Sequence, residues 1–334
     1  MLRKKQSSEA GTKPILLKAA VFVLTASLLS FIQLRVARPM LMAERFFPGW
    51  GWFEILALSL YAVFIAGKMF SPTQSPRWRL SIWMLFSIVF FAQLLIGLLG
   101  VDQFLMTGTL HIPVPAMIVA GPLFRAERFF MPILFASTVF LVGPAWCSHL
   151  CYIGAWDAAA SVHKNKPLAM PKWRHPVRIG ILLFVAAVSL VLRWIGVSAV
   201  AAGGFGLAFG LFGIGMIVLW SRKSGVMTHC ITFCPIGLLA NWFGRLSPFR
   251  IRIHPSCNAC GACRPVCRYA ALTEKDIQNR TPGKTCTLCG DCIKSCKDQW
   301  IEYRFFRMSP DSARKLFIVL IVSLHAVFLG VARI

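Results

Sequence analysis

The sequence predicts an all-α polytopic membrane bundle of six or seven transmembrane helices that carries a small α+β module near its C-terminal end. Of the 334 residues, 57% are hydrophobic and only 14% are charged, and the mean hydropathy is +0.66. Such a composition is typical of a protein that crosses a membrane several times. Eight of the twelve cysteines lie between positions 257 and 296, which separates a small cysteine-rich unit from the bundle.

Seven apolar runs are candidates for crossing a hydrocarbon core about 30 Å thick. They are Ile15–Leu34, Trp52–Phe70, Ser81–Leu99, Phe130–Trp146, Val177–Ile195, Phe205–Trp220 and Leu316–Val331. The fourth, sixth and seventh runs are short, and we therefore expect six or seven spans. The proline-containing segment His111–Gly121 is too short to cross and predicts an interfacial or re-entrant piece that caps the bundle.

The net charge of +24 is distributed in a way that indicates topology. Basic residues cluster at the ends of the apolar runs, and alternate loops place these clusters on one side of the membrane. They include Arg3, Lys4, Lys5, Lys13, Lys68, Arg77, Arg79, Lys164, Lys166, Lys172, Arg174, Arg222 and Lys223. Because positive loops stay in the cytoplasm, we expect a multi-pass protein of the inner (cytoplasmic) membrane with a cytoplasmic cysteine-rich unit. The charge favours contact with membrane lipid, and we expect no nucleic-acid partner.

The eight C-terminal cysteines form two copies of the pattern Cys-x2-Cys-x2-Cys-x3-Cys. Bacterial two-cluster ferredoxins bind two [4Fe–4S] clusters with this spacing, and the fourth cysteine of each run ligates the other cluster. The pattern therefore predicts two ligand sets, here called the first and second cysteine groups. The first group is Cys257, Cys260, Cys263 and Cys296, and the second group is Cys286, Cys289, Cys292 and Cys267.

Zinc and disulfide bonds are the alternatives for these eight cysteines. A structural zinc site takes four ligands, usually as two spaced pairs, and does not explain a doubled four-cysteine run. Disulfides belong to oxidising compartments, whereas the expected topology is cytoplasmic. The proline that often follows the fourth cysteine is absent, and Arg268 and Lys297 occupy those places. Two cations there favour the reduced clusters and predict a higher potential than that of an acidic ferredoxin.

The remaining four cysteines form a second repeated motif, Cys-x3-Cys-x-Ile-Gly, which follows the fourth and sixth apolar runs. Cys147, Cys151, Cys230 and Cys234 are here called the boundary cysteines. Residues i and i+4 share a helical face, so the two pairs could converge on a further cluster or metal. Pro235 biases Cys234 away from helical geometry. The alternatives are small buried hydrophobic residues or a transient disulfide.

Several other polar residues lie near these motifs or inside a span. His149 lies within the first cysteine pair and His229 immediately precedes the second. They could contact a quinone, relay its protons or ligate a metal, or they could be solvated at the interface. His325 lies in the last apolar run and is expected to face the bundle interior. Asp157 is a candidate proton carrier or, alternatively, a solvated charge at a helix end.

Two Cys-x3-Cys motifs after membrane helices, followed by two [4Fe–4S] motifs, resemble the NapH-type ferredoxin-like membrane subunit of periplasmic nitrate reductase systems. Relatives of that family occur in methylamine utilisation and in the nitrous-oxide reductase regulator. The resemblance covers about Pro144–Arg304 and implies electron transfer between membrane quinol and a partner redox protein. Tyr152 replaces the proline that follows the first cysteine pair in the family, and there are more spans than the four usual in the nitrate reductase subunit.

We therefore expect a transmembrane domain at residues 1–247, a two-cluster ferredoxin domain at 248–305 and a C-terminal transmembrane helix at 306–334. Short strands are predicted near Ile251–Ile253 and Ile301–Arg304. The predicted function is iron–sulfur electron transfer between the quinone pool or a cytoplasmic donor and a partner redox protein, as a subunit of an oxidoreductase system. The alternatives are a maturation or assembly factor that reduces a partner's metal centre, and a redox sensor.

Overall fold

The computed structural model shows a mostly helical chain and is described for residues 14–104, 112–127 and 129–331. Seven helices in these ranges are long and apolar enough to cross a membrane, the larger of the two numbers predicted. They are Pro14–Arg35, Gly51–Met69, Ser75–Leu98, Phe130–His149, Arg174–Trp194, Ala199–Ser224 and Pro310–Val331. Arg3, Lys4, Lys5, Lys13 and His111, which entered the sequence-based predictions, lie outside the described ranges.

The helices and strands are numbered along the chain. The helices are α1 (Pro14–Arg35), α2 (Met42–Phe46), α3 (Gly51–Met69), α4 (Ser75–Leu98), α5 (Met117–Arg125), α6 (Phe130–Val142), α7 (Trp146–His149), α8 (Tyr152–Ser161), α9 (Arg174–Trp194), α10 (Ala199–Met216), α11 (Arg222–Ser224), α12 (Pro235–Phe243), α13 (Glu274–Gln278), α14 (Asp291–Ser295) and α15 (Pro310–Val331). The strands are β1 (Phe249–Ile253) and β2 (Ile301–Phe305). Two π-helical turns, Ile217–Ser221 and His229–Phe233, flank α11.

The three apolar runs that looked short are full-length spans. The fourth continues from α6 through a 3₁₀ turn into α7, and so reaches the first boundary cysteine. The last span begins at Pro310, well before its apolar run, because its first turns contact protein. There the Arg314 guanidinium donates to the carbonyls of Met69 and Phe70, each at 2.7 Å. The apolar run therefore underestimates the length of the last span, because the first turns of the helix contain charged residues.

Two stretches of the bundle repeat one pattern. A span carries an arginine as its fifth residue, and the next span leads into a Cys-x3-Cys pair. In the first stretch α4 carries Arg79, and in the second α9 carries Arg178. Both arginines are buried although they lie near the ends of apolar helices. The repeat therefore places a buried cation and a pair of thiols in each stretch.

Residues 248–305, here called the cysteine-rich segment, contain the antiparallel pair β1 and β2, as the sequence predicts. The register pairs Phe249 with Phe305 and Ile253 with Ile301. Phe317 of α15 packs on this hairpin, with ring centroids 5.4 Å from Phe249 and 4.8 Å from Tyr303. The last span thereby fixes the cysteine-rich segment against the bundle.

Candidate metal centres

The four boundary cysteines converge although they come from two distant parts of the chain. All four are buried, with 7–8% of their surface exposed. Every one of the six pairs among them is close enough for the sulfur charges to interact. Four convergent thiols are a donor set that iron–sulfur clusters use.

Both cysteine pairs are held by the same widened backbone turn. The Cys151 amide donates to the Trp146 carbonyl at 3.0 Å, and the Cys234 amide donates to the His229 carbonyl at 2.8 Å. Each bond spans five residues instead of four, which is the geometry of a π-type turn. The second cysteine of each pair is extended and precedes a new helix, α8 or α12. The sequence attributed this geometry to Pro235, but Cys151 adopts it without a proline.

The Ile-Gly dipeptide that ends each motif has the same structural role in both copies. In both copies the backbone amides of the isoleucine and the glycine lie beside the sulfur of the second cysteine and lower the pKa of its thiol, against the raising effect of burial. A Cβ on Gly154 would lie 3.0 Å from the Cys147 carbonyl oxygen, and one on Gly237 would lie 2.7 Å from the Cys230 carbonyl oxygen. Amides at the start of a helix stabilise a thiolate. The motif thus folds the chain tightly and presents a sulfur to two donors.

A buried arginine faces the boundary cysteines. Arg178 is 1% exposed, and its charge interacts with the sulfurs of Cys147, Cys230 and Cys234. A Cβ on Gly237 would lie 3.2 Å from the Arg178 Nη2 atom, so this glycine makes room for the guanidinium. Within the described ranges the Arg178 Nε atom has no hydrogen-bond partner. Because an uncompensated buried cation is costly, this arrangement requires negative charge nearby.

Free thiols cannot readily supply that charge. Burial raises the pKa of the Cys151 thiol to about 12 and raises the pKa of the Cys230 thiol well above its ordinary value. A metal ion, by contrast, deprotonates a coordinating thiol outright. The buried Arg178 cation therefore fits a metal or cluster bound to thiolates better than four free thiols.

Asp157 is buried in the structure, so the alternative of a solvated charge at a helix end is wrong. Its Oδ2 atom accepts a hydrogen bond from the Cys230 amide at 2.9 Å. Burial raises the pKa of its carboxyl to about 6, although hydrogen bonds from neighbouring groups oppose this shift. Asp157 thus ties the second cysteine pair to α8.

The eight cysteines of the cysteine-rich segment assemble into two sets. Within the first group, the Cys263 sulfur interacts with the three others. Within the second group, the Cys292 sulfur interacts with the three others. The two groups differ in exposure, since Cys260 is exposed to solvent whereas Cys292 is buried. Burial raises the pKa of the three other thiols of the second group to about 12.

An ion pair attaches the loop of the second group to the bundle. The Arg79 guanidinium donates twice to the Asp291 carboxylate, from Nη2 at 2.6 Å and from Nε at 3.1 Å. Its Nη1 atom donates to the Ser148 carbonyl at 2.9 Å, and its charge also interacts with Cys289. Arg79, the first arginine of the repeat, therefore lies beside the second cysteine group. Arg178, the second, lies beside the boundary cysteines.

Tyr269 lies between the second cysteine group and the boundary cysteines. It is 3% exposed, and its hydroxyl donates to the Cys147 carbonyl at 3.2 Å. Its hydroxyl charge would interact with both Cys230 and Cys289. One buried side chain thus lies close to two sulfur groups from different parts of the fold.

Arg268 has a second role beside the one predicted from its place after Cys267. Its charge interacts with that cysteine, and its Nη1 atom donates to the carbonyls of Lys164 and Gly225 at 2.7 and 2.9 Å. The Lys164 carbonyl lies in the loop that follows the first cysteine pair, and the Gly225 carbonyl lies in the loop that precedes the second. Arg268 therefore anchors the cysteine-rich segment to both halves of the repeat.

The two histidines near the boundary cysteines are buried, so their solvation at the interface is wrong. His149 Nδ1 lies 3.0 Å from the Ser148 hydroxyl. His149 also lines a cavity of about 10 Å³ together with Cys289. This volume suits about one water molecule and is too small for a quinone ring.

His229 packs against Phe233, with ring centroids 5.5 Å apart. Burial lowers the pKa of His229 to about 4.

His325 faces the bundle interior, as expected for a polar residue in a span. It is fully buried, and its Nε2 atom lies 3.1 Å from the Tyr61 hydroxyl. It also lies beside the backbone of His149. Tyr61 is partly exposed on the apolar surface of α3. A polar contact thus extends from the surface of α3 to the residue between the first two boundary cysteines.

The spacing of the cysteine side chains bears on whether a single metal ion could bind them. In the described part of the chain, no three His, Cys, Asp or Glu side chains are close enough to hold one ion. A tetrahedral zinc ion would bring its sulfurs to about 3.8 Å from each other, given a Zn–S bond of about 2.3 Å. A cluster of several metal atoms holds its ligands further apart. The described part of the chain therefore shows no site already shaped for a single zinc ion.

Sequence reasoning missed Arg79, Arg178 and Tyr269 as parts of these sites. Arg79 entered the sequence analysis only as a charge at the end of a span, and Arg178 did not enter it. A usable signal was present, because Arg79-Leu-Ser-Ile and Arg178-Ile-Gly-Ile occupy equivalent places in the repeat. No comparable signal marks Tyr269, whose contact depends on how the cysteine-rich segment docks.

Comparison with known proteins gives one family match. A family described as a 4Fe-4S binding domain matches residues 126–167 and 203–254. These two stretches contain all four boundary cysteines and end before Cys257. The match therefore lies on the membrane bundle and the start of the cysteine-rich segment, outside the eight cysteines with ferredoxin spacing.

Two relatives are distantly similar. An uncharacterized protein of Methanocaldococcus jannaschii is 23% identical over 172 residues, which cover 50% of this chain and 67% of the relative. A protein of Escherichia coli K12, YccM, whose name assigns it provisionally to electron transport, is 26% identical over 222 residues. That alignment covers 60% of this chain and 58% of YccM. No solved structure matches.

The family match indicates a likeness to 4Fe-4S binding domains over the stretches that carry the boundary cysteines. The seven apolar helices indicate that it is a membrane protein.

Proposed function

We propose that this chain is a membrane-bound electron-transfer protein that connects the quinone pool or a cytoplasmic donor to a partner redox protein through three iron–sulfur centres. The observation that carries the proposal is the succession of three cysteine groups. The first is exposed at Cys260, the second is buried against the bundle, and the boundary cysteines lie beyond Tyr269. A chain of sulfur groups that runs from solvent to the membrane suits electron transfer.

In this proposal the first and second cysteine groups each hold a [4Fe–4S] cluster on the cytoplasmic side. Such a cluster, when bound, accepts and returns one electron. The chain surrounds the second group with a buried shell in which the Tyr303 hydroxyl donates to the Leu288 carbonyl at 2.5 Å. Asp291, held by Arg79, fixes the start of α14 next to Cys292. These residues keep water away from the second group and hold its loop in place.

The boundary cysteines hold a third cluster in this proposal. Three observations support it: the convergence of the four thiols, the 4Fe-4S family match over these residues, and the buried Arg178 cation. A cluster bound to four thiolates carries net negative charge, which compensates the guanidinium. Arg178 in turn favours the reduced state, because the added negative charge lies beside a cation.

Tyr269 and His325 have positioning roles at the two sides of the boundary cysteines. Tyr269 holds the second group's loop against the Cys147 backbone. On the membrane side, the Tyr61 hydroxyl and His325 form a polar pair that is accessible from lipid. We place the contact with a quinone at this pair, and no longer at His149 or His229, because it combines partial exposure with hydrogen-bonding capacity.

Iron and acid-labile sulfide per chain test the proposal, measured on protein purified anaerobically in detergent. Three [4Fe–4S] clusters require about twelve of each, whereas two clusters at the ferredoxin motifs alone require about eight. A third centre of the [2Fe–2S] type would give about ten. The double variant Cys230→Ser/Cys234→Ser should lose the excess over eight and retain the rest.

The matched control is Cys286→Ser/Cys289→Ser, which removes two ligands from the second group instead. It should lose about four iron atoms and keep the boundary iron. If the wild-type protein contains eight iron atoms and the boundary variant still contains eight, the third centre is wrong. If the wild-type protein contains no iron–sulfur cluster, the whole proposal fails.

A further inference from the structure

A basic groove crosses the outer face of the β1–β2 hairpin, next to the first cysteine group. It encloses about 710 Å³. Its charged lining residues are Arg250, Arg252, Arg280, Arg304 and Glu302, and His254 also lines it. The one acidic residue is 8% exposed and is already paired with Arg304 at 2.7 Å. The groove therefore presents a strongly positive surface.

Apart from Arg304, which pairs with Glu302, the arginines of this groove are held by uncharged groups in the described part of the chain. Arg252 and Arg304 are exposed. The Arg252 Nη1 atom donates to the uncharged Thr281 hydroxyl at 2.7 Å. The Arg280 Nη1 atom is buried and has no hydrogen-bond partner in the described ranges. Arg250 and Arg304 face each other across the hairpin register, a like-charge pairing that costs stability. An anionic partner in the groove would relieve these costs.

The groove leads directly to the first cysteine group. His254 stacks on Trp300, with ring centroids 4.9 Å apart and planes inclined by 22°. The Cys257 amide donates to the His254 carbonyl at 3.0 Å, and the Trp300 amide donates to the Cys296 sulfur at 3.2 Å. Two stacked rings thus lie between the groove and two members of the first group. A partner bound in the groove is placed beside the most exposed of the three sulfur groups.

We propose that this basic groove is the docking site for an acidic electron-carrier protein that exchanges electrons with the first cysteine group. The inference rests on the proposed function, since it requires a cluster at that group. One electron passes between the carrier's redox centre and this cluster, with no bond formed or broken and no proton transferred. Transient redox complexes have small interfaces, and complementary charge increases their rate of association.

A protein partner fits the groove better than a lipid headgroup does. The groove extends along the hairpin to Thr281 and borders the loop that carries the exposed Cys260. The floor of the groove adjoins the first cysteine group. That position suits a partner that exchanges electrons, whereas a lipid headgroup has no redox chemistry. The exposed apolar residue Phe306 also lines the groove and could contact an apolar side chain of a protein partner.

The test measures binding of an oxidised, acidic plant-type [2Fe–2S] ferredoxin to the full-length protein in a zwitterionic detergent at low ionic strength. The variant Arg252→Gln/Arg280→Gln removes two charges from the groove and leaves the Glu302–Arg304 pair intact. We expect Kd to rise about tenfold and the difference to vanish at high salt. The matched control Arg222→Gln/Lys223→Gln removes two exposed charges at the end of the sixth span and should leave Kd unchanged.

A second measurement separates this proposal from the function on which it rests. Reduction by dithionite, a small reductant that needs no groove, should bleach the iron–sulfur absorption equally in all variants. Reduction by the reduced ferredoxin should slow about tenfold only in the groove variant.

Three results would overturn the docking site or its basis. Equal ferredoxin affinity in the groove and control variants would refute docking while leaving the clusters intact. An effect that appears only in nanodiscs of anionic lipid would assign the groove to headgroups instead. Absence of any dithionite-dependent bleaching would remove the electron-transfer function itself.

Discussion

Removing the carboxylate that pairs with Arg79 should release the cysteine-rich segment from the bundle. In Asp291→Asn the two donor–acceptor contacts, at 2.6 and 3.1 Å, lose their charge. The Arg79 side chain is 7% exposed and that of Asp291 is 18% exposed, so little solvent compensates the remaining cation. Breaking a buried pair from one side costs about 3–5 kcal/mol. Since about 1.4 kcal/mol is a factor of ten, docking should weaken about 100-fold or more.

Limited trypsin digestion in detergent measures this change. When opening is fast relative to cleavage, the cleavage rate within residues 248–305 follows the population of the open form. The control is Asp311→Asn, which breaks the exposed Lys315–Asp311 pair on α15. That pair is worth about 0.3–0.5 kcal/mol, so digestion should change by no more than about twofold.

The double variant Arg79→Met/Asp291→Leu separates charge from packing. Replacing both members of a buried ion pair by apolar residues is often neutral or stabilising, so digestion should return close to the wild-type rate. Iron content, measured in parallel, shows whether faster digestion follows loss of a cluster. If Asp291→Asn is digested no faster than Asp311→Asn, the ion pair does not hold the segment and our reasoning about its burial is wrong.

Two further substitutions test the packing around the sulfur groups, both by the midpoint of thermal unfolding in one detergent. Gly237→Ala should lower the midpoint through about 1–3 kcal/mol of overpacking, because its Cβ would lie 2.7 Å from the Cys230 carbonyl oxygen. Gly180→Ala should leave the midpoint unchanged or raise it slightly, because its Cβ would meet nothing within 4 Å. Equal effects at positions 237 and 180 would contradict this account. Tyr303→Phe should cost about 1–3 kcal/mol, because it leaves the buried Leu288 carbonyl without its donor; an unchanged midpoint would show that this hydrogen bond is dispensable.

The sequence predicted most of the architecture because its main signals are local. Apolar length gives the spans, and alternation of apolar residues gives the strands, with errors only at the ends. At the last span the error has a clear cause. Residues such as Arg314 look like the charged end of a span, yet the helix continues through them because their charges are satisfied by carbonyls of a neighbouring helix.

The surroundings of the candidate centres were less predictable than the cysteines. Spacing identifies thiols that can converge, but it does not reveal what lies around them. Asp157 was assigned alternatives that included solvation, and it is buried because its carboxylate accepts the amide of Cys230 from the other half of the repeat. Such a contact depends on how two distant segments pack, and the sequence near Asp157 carries no sign of it.

The internal repeat explains why one protein would place two buried arginines beside sulfur. Each stretch begins with a span that carries an arginine as its fifth residue, but the two arginines lie beside different sulfur groups. Arg79 is paired with Asp291 beside the second cysteine group, whereas Arg178 faces the boundary cysteines and pairs with no carboxylate in the part of the chain that the structure describes. A buried cluster is harder to reduce than an exposed one, because the added charge is poorly solvated. In the proposed function each arginine offsets that penalty at one inner centre. The unpaired Arg178 should offset it more than Arg79, whose charge is already balanced, so the repeat would raise the potential most at the membrane end of the chain of sulfur groups.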